Sequence, residues 1–91
     1  MLNLNDLKLL QFKASWCGPC TAQSKEFSNN KLDINLEPID IEEKEELCDK
    51  YNIKSIPTMV LIDNKEKELN RWNGFTKVEV INNYIKKINN E

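Results

Sequence analysis

The feature that most restricts this chain is the run Trp16-Cys17-Gly18-Pro19-Cys20, which follows closely on the apolar stretch Leu7 to Phe12 (LKLLQF). The stretch reads as a buried strand. A helix is expected to open near Gly18, because proline suits the first helical turn. The spacing then puts both sulfurs on that turn, close enough to form and break a bond. Unpaired N–H groups and the positive end of the helix dipole favour a thiolate there. A low-pKa thiolate with a second cysteine in reach is the minimal equipment for thiol–disulfide exchange.

C-x-x-C alone also occurs in zinc, iron–sulfur and c-type haem sites. A tetrahedral zinc site needs about four ligands, usually including a second pair. This chain has no histidine, and its only other cysteine is Cys48. One chain therefore completes neither an all-thiolate nor a mixed thiolate–imidazole set, and no metal site is expected; a site shared across a dimer stays open. The haem pattern needs a histidine after the second cysteine, where this chain has Thr21. A purely structural disulfide is disfavoured, since so small a loop constrains the unfolded chain little. The absence of histidine also excludes a Cys–His hydrolase.

With 91 residues the expectation is one domain over residues 1–91. A net charge of -2 offers no concentrated basic face for nucleic acid. No apolar run approaches a membrane span. The opening Met1-Leu2-Asn3-Leu4-Asn5-Asp6 lacks the basic region and long apolar stretch of a secretion signal. The expected location is cytoplasmic, where cysteines point to redox chemistry rather than a disulfide scaffold.

Beyond the cysteines, the first helix is expected to run through Phe27 and end at Asn29-Asn30. Ile34 to Ile41 reads as a second strand, Glu42 to Tyr51 as a helix, and Thr58 to Asp63 as a third strand. A turn at Asn64-Lys65 leads into an antiparallel partner, Glu66 to Trp72. After Asn73-Gly74 a last helix spans about Lys77 to Ile88, its stripe of Val78, Ile81, Tyr84, Ile85 and Ile88 reading as core. The fold class is α/β, in the order β-α-β-α-β-β-α. The first two strands are expected to be parallel and the last two a hairpin, in one four-stranded mixed sheet flanked by helices.

With these residues in place the chain resembles the thioredoxin family. Trp16-Cys17-Gly18-Pro19-Cys20 matches that family's active-site motif, Ser55-Ile56-Pro57-Thr58 its second signature, and Asn73-Gly74 its third. The resemblance covers nearly the whole chain and implies a minimal thioredoxin fold. It implies that Pro57 is cis and lies against the cysteines, and that the Ile56 backbone pairs with an extended substrate segment. A proline beginning a strand has an ordinary reading too, as does Gly74 in a turn.

The sequence departs from the family at three places. Few residues precede Leu7, where family members usually carry another strand and helix; Leu2 to Leu4 is a candidate stub of strand pairing. The second strand is then expected at a sheet edge, which suits Pro38. Gln11 stands where the family often has a buried aspartate, and Pro38 where it usually has a lysine. The aspartate's route for deprotonating the second cysteine is thereby absent.

The resemblance implies a thiol–disulfide oxidoreductase that reduces protein disulfides. Cys17 would be the partly exposed nucleophile and Cys20 the more buried resolving thiol. Trp16, Gly18, Pro19, Ile56, Pro57 and Gly74 would contact substrate, and Phe75 would join this apolar platform or pack in the core. The redox-active Cys17–Cys20 disulfide would serve without a further cofactor. Disulfide-containing proteins would be the substrates and a flavin/NADPH-type thioredoxin reductase the electron donor, with a monomer as the default. Two alternatives belong to other classes: a glutaredoxin-like hydrogen donor for an enzyme such as ribonucleotide reductase, and a non-catalytic binding subunit. Leu47, Cys48 and Tyr51 can share one helix face, so Cys48 reads as a buried, inert thiol, with a regulatory or dimerising thiol as the sharper reading.

Overall fold

Alternation along two strands sets the layers of the molecule. In the computed structural model, which describes residues 3–90, β1 (Lys8–Lys13) and β3 (Thr58–Ile62) pair antiparallel at the centre of a four-stranded sheet. Leu9, Met59 and Leu61 face one side with Ile81 and Ile85; Leu10, Phe12, Val60 and Ile62 face the other with Ile39 and Tyr51. Side chains on a strand point alternately to opposite faces, so two strands furnish both halves of the core. Each such side chain contributes about 1.5–3 kcal/mol when fully buried.

The remaining elements follow from these faces. α1 (Gly18–Asn29) and α3 (Val78–Asn89) cover the Leu9 face, through Phe27 of α1 and Ile81 and Ile85 of α3. α2 (Glu45–Lys50) covers the other through Leu47 and Cys48. β2 (Asn35–Asp40) runs parallel to β1, and β4 (Glu68–Asn73) antiparallel to β3, giving the order β2-β1-β3-β4. The mixed sheet, the parallel first pair, the closing hairpin and the edge position of Pro38 all agree with the expectation from sequence. No helix among the described residues is long and apolar enough to cross a membrane.

The differences lie at element ends and have local causes. Leu7 is buried but precedes β1. Leu4–Asp6 forms a short 3-10 turn, with the Asn3 side chain accepting from the Asn5 N–H. Leu4 therefore forms no stub of strand, and Leu2 lies outside the described residues. α2 starts three residues later than its apolar and acidic pattern suggests. Asp40 holds the intervening turn, accepting at its carbonyl from Glu43 and Lys44 and at its carboxylate from Glu42. β4 starts two residues late, because Glu66 sits at φ +65° in the hairpin loop. Asp63 organises that loop by accepting from the N–H groups of Lys65 and Lys67.

Arg71 ties the β4 edge to the end of α2. Its guanidinium grips both carboxylate oxygens of Glu68 and donates to the Tyr51 carbonyl at 2.6 Å. The bond from Arg71 holds the Glu68 carboxyl below its ordinary range, against a smaller opposing effect of burial. Folding therefore favours the charged form. The stabilisation is present above the unfolded carboxylate pKa, about 4.3, and is lost as pH falls through the lower folded value. Glu68→Gln is expected to lower stability at pH 7 by about 1 kcal/mol, the pair being partly exposed. Urea denaturation midpoints of the two proteins are expected to start drawing together as pH falls below about 4.3, the unfolded carboxylate value, and to converge only once the folded carboxyl is protonated as well.

Candidate active site

Cys17 and Cys20 meet where β1 hands over to α1. Cys17 is the N-cap of α1, with Gly18 and Pro19 opening the first turn. Its N–H donates to the Ala14 carbonyl and its own carbonyl accepts from Thr21. The cysteines are bonded as a disulfide, with Cα atoms 5.2 Å apart. Cys17 Sγ also accepts from the Cys20 N–H at 3.2 Å, one of the donors that a helix N-terminus leaves free. Ala14 is buried with the two sulfurs, and Ile41 and Ile56 pack against them. Cys17 keeps 6% of its surface and Cys20 2%. The first cysteine is thus the more open, as expected, but it is buried rather than partly exposed. Ile41 and Ile56 close around the pair.

The other motif residues converge here. The Ile56–Pro57 bond is cis. The Pro57 carbonyl accepts from the Gly74 N–H at 2.7 Å, joining the second motif to the third. Gly74 has φ +85°, a region that side-chain-bearing residues rarely adopt. Among the described residues, the Ile56 N–H and C=O meet no hydrogen-bonding partner. Trp16 stands 65% exposed. It lines an open cleft of about 280 Å³ with Ile41, Ile53, Lys54, Ser55 and Ile56. Phe75, with core packing and the platform both open from sequence, is 48% exposed and belongs to the surface. Among the described residues no group of three or more His, Cys, Asp and Glu side chains is placed to hold a metal ion.

Two buried amides lie behind the site, of which Gln11 was named from sequence and Gln23 was not singled out. Gln23, wholly buried on α1, clasps Thr76 as a neighbouring strand would. Its Nε2 donates to the Thr76 carbonyl at 2.8 Å and its Oε1 accepts from the Thr76 N–H at 2.7 Å. One turn on, Glu26 accepts from the Val78 N–H at 2.8 Å, capping α3, whose own N-cap residue Lys77 supplies no side-chain bond. The available signal was a glutamine at the inward spacing of Cys20 and Phe27 on α1. The second amide is Gln11, 1% exposed, which donates to Ser24 Oγ at 3.0 Å. It faces Pro38 in the β1–β2 register, so neither position carries a titratable side chain.

Cys48 stays apart from this chemistry. It is a free, half-buried thiol on α2, with Sγ 4.0 Å from the Ile41 carbonyl. Burial pushes its pKa up, and Asp49 and Glu45 add to this.

Comparison with known proteins points one way. The family model described as Thioredoxin matches residues 1–87. Thioredoxin-1 of Caenorhabditis elegans is 39% identical over 59 residues, covering 62% of this chain and 51% of the relative. The thioredoxin of Buchnera aphidicola is 32% identical over 87 residues, covering 88% and 78%. The chain thus spans about half the length of the nematode relative, and only 18% of a putative protein disulfide-isomerase of Schizosaccharomyces pombe that it also matches. Among solved structures, a single-site mutant of a thioredoxin from Halobacterium salinarum superposes with a TM-score of 0.80 at 26% identity, covering 91% of this chain and 74% of that one.

The Gln23 clasp makes a definite prediction. Gln23→Leu keeps the volume but leaves the part-buried Thr76 N–H and C=O without their Gln23 partners, at less than the roughly 1–3 kcal/mol that a fully buried group costs. The variant is expected to lose about 1–3 kcal/mol in urea denaturation. Hydrogen exchange is expected to quicken most at Thr76 and its neighbours. Unchanged exchange there would remove Gln23 from its role as the loop's anchor.

Proposed function

The chain belongs to the thioredoxin family, and from that premise we propose that it is a thiol–disulfide oxidoreductase that works as a reductant of protein disulfides. The observation that carries this reading is the Cys20 N–H aimed at Cys17 Sγ at 3.2 Å on the helix N-cap. In the reduced protein the same donor faces a thiolate, and a hydrogen bond to the charged form favours it. The redox group is the cysteine pair itself, as in the thioredoxin relatives.

In the proposed course the Cys17 thiolate attacks one sulfur of a target disulfide. A Cys17–target bond forms and the target S–S bond breaks. The Cys20 thiolate then attacks Cys17 Sγ, closing the Cys17–Cys20 bond and expelling the second target thiolate. Two electrons pass to the target, and the protons given up by Cys17 and Cys20 balance those its thiolates take up. Trp16, Gly18, Pro19, Ile56, Pro57 and Gly74 form the contact surface. The unpartnered Ile56 backbone takes an extended segment as an added strand. A thioredoxin reductase of the flavin/NADPH type returns the electrons. The chain acts as a monomeric single domain in the cytoplasm, where thiols are kept reduced.

Resolution has a distinctive feature in this chain. Gln11 cannot take a proton, and its amide is committed to Ser24. Ser24 lies four residues beyond Cys20 on α1, about 6 Å along the helix. The Cys20 proton therefore leaves through water, and release of the target is slow.

Two experiments test these steps. Cys20→Ser is expected to accumulate a mixed disulfide between Cys17 and a disulfide-bonded protein, seen by non-reducing electrophoresis, while Cys17→Ser abolishes exchange. Continued turnover by Cys20→Ser would overturn the two-thiol course. Gln11→Asp is expected to speed single-turnover release near neutral pH several-fold, short of the full general-base assistance of about 10²–10⁴. An unchanged rate would mean that the missing carboxylate does not limit resolution.

A further inference from the structure

The join between the second and third motifs is also a chemically reactive dipeptide. The side-chain amide of an asparagine is open to attack by the backbone nitrogen of the next residue, and a glycine there leaves that nitrogen unshielded by any side chain. Of the asparagines in this chain, Asn73 alone precedes a glycine. It stands exposed at the end of β4, in reach of water. Each group that the attack needs is nevertheless engaged. The Gly74 N–H, the nucleophile, donates to the Pro57 carbonyl at 2.7 Å. The Asn73 side-chain oxygen accepts from Thr58 Oγ1 at 3.2 Å, and Thr58 is itself buried. The Asn73 backbone is held in the strand, paired with Thr58. An extended residue has ψ of about +135°, which turns the following nitrogen away from its side-chain carbonyl carbon.

We propose that Asn73 is a self-modification site, which the contacts from Pro57 and Thr58 keep closed and which converts to isoaspartate when they open. In the first step Gly74 N gives up its proton and bonds Asn73 Cγ. The Cγ–Nδ2 bond breaks, and the side-chain nitrogen leaves as ammonia with that proton. Water then opens the cyclic imide at either carbonyl, giving aspartate or isoaspartate. Water is consumed and ammonia released, with no change of redox state. Isoaspartate routes the main chain through its side-chain carbons, adding a methylene between the residue 73 Cα and Gly74 N. The Thr58 register and the Gly74 bond to Pro57 cannot both survive that added length, so the two motifs come apart. Local opening of a strand end costs less than global unfolding, so the folded chain reacts, but slowly.

The intact chain and the same chain unfolded in urea, aged at one pH and temperature and followed by peptide mapping, supply the test. The folded chain is expected to lose the Asn73 amide about tenfold more slowly than the unfolded one, the factor that an opening cost of about 1.4 kcal/mol gives. Thr58→Val keeps the shape but removes the hydroxyl bond, and is expected to raise the folded rate several-fold at Asn73 and at no other asparagine. Thr58→Ser keeps the hydroxyl and is expected to keep the wild-type rate. Equal rates in the folded and unfolded chains overturn the proposal, and so does an Asn73 amide that persists in the unfolded chain. A Thr58→Val rate no faster than wild type does the same. The structural consequence is read by hydrogen exchange at the Gly74 N–H. Exchange is expected to quicken in the isolated isoaspartyl form and to stay slow in Asn73→Asp, which adds the same charge on a normal backbone. Equal protection in the two would overturn the breaking of the join. None of these readouts uses the cysteine pair, so the reductase reading stands or falls separately.

Discussion

The site depends on one side chain that stands in for a strand. Gln23 offers Thr76 a donor and an acceptor from within α1, and both bonds are short. Because α1 also carries the cysteines, this clasp sets the distance between the sulfurs and the loop holding Gly74. The Glu26 bond to Val78 extends the contact to the start of α3. Two segments distant in sequence, α1 and the stretch from Gly74 into α3, thereby become one rigid surround. Apolar packing alone would not fix them so closely, since it is non-directional, whereas paired hydrogen bonds from a buried amide specify one register.

The surroundings of the sulfurs are neutral, and this shapes their chemistry. Ala14, Ile41 and Ile56 pack on the disulfide, and the polar group directed at Cys17 is a backbone N–H. Behind the pair, Gln11 bonds to a hydroxyl and faces a proline. Control of the thiolate therefore falls to the start of the helix. Backbone donors do not titrate, so their pull on Cys17 is the same across the physiological pH range.

Much of this was legible because the motifs and the strand patterns state local rules. LKLLQF and TMVLID read as buried strands from their apolar runs, and the proline in the second strand placed that strand at an edge. The cis bond before Pro57 came from resemblance, not from any local preference of Ile56. Illegible from sequence were the features that depend on what lies across space. Asp40 and Asp63 divert the chain at α2 and β4 by bonds to nearby N–H groups, which override the hydrophobic pattern. Gln23 looked like any helical glutamine until Thr76 lay opposite it. The near closure over Cys17 comes from Ile41 and Ile56, which lie beyond the next strand and the next helix in the chain.

Pro38 has a consequence beyond its own strand. The ladder between β1 and β2 runs from Lys8 and Asn35 to Lys13 and Asp40 without a break at Gln11 and Pro38. The donor that proline lacks is therefore one this ladder does not use, and the vacancy lies on the open side. A foreign strand arriving there meets a gap in the middle of a six-residue row. Open edges are where sheets recruit one another into aggregates. Pro38 thus doubles as a stop, and the sheet ends where β2 ends.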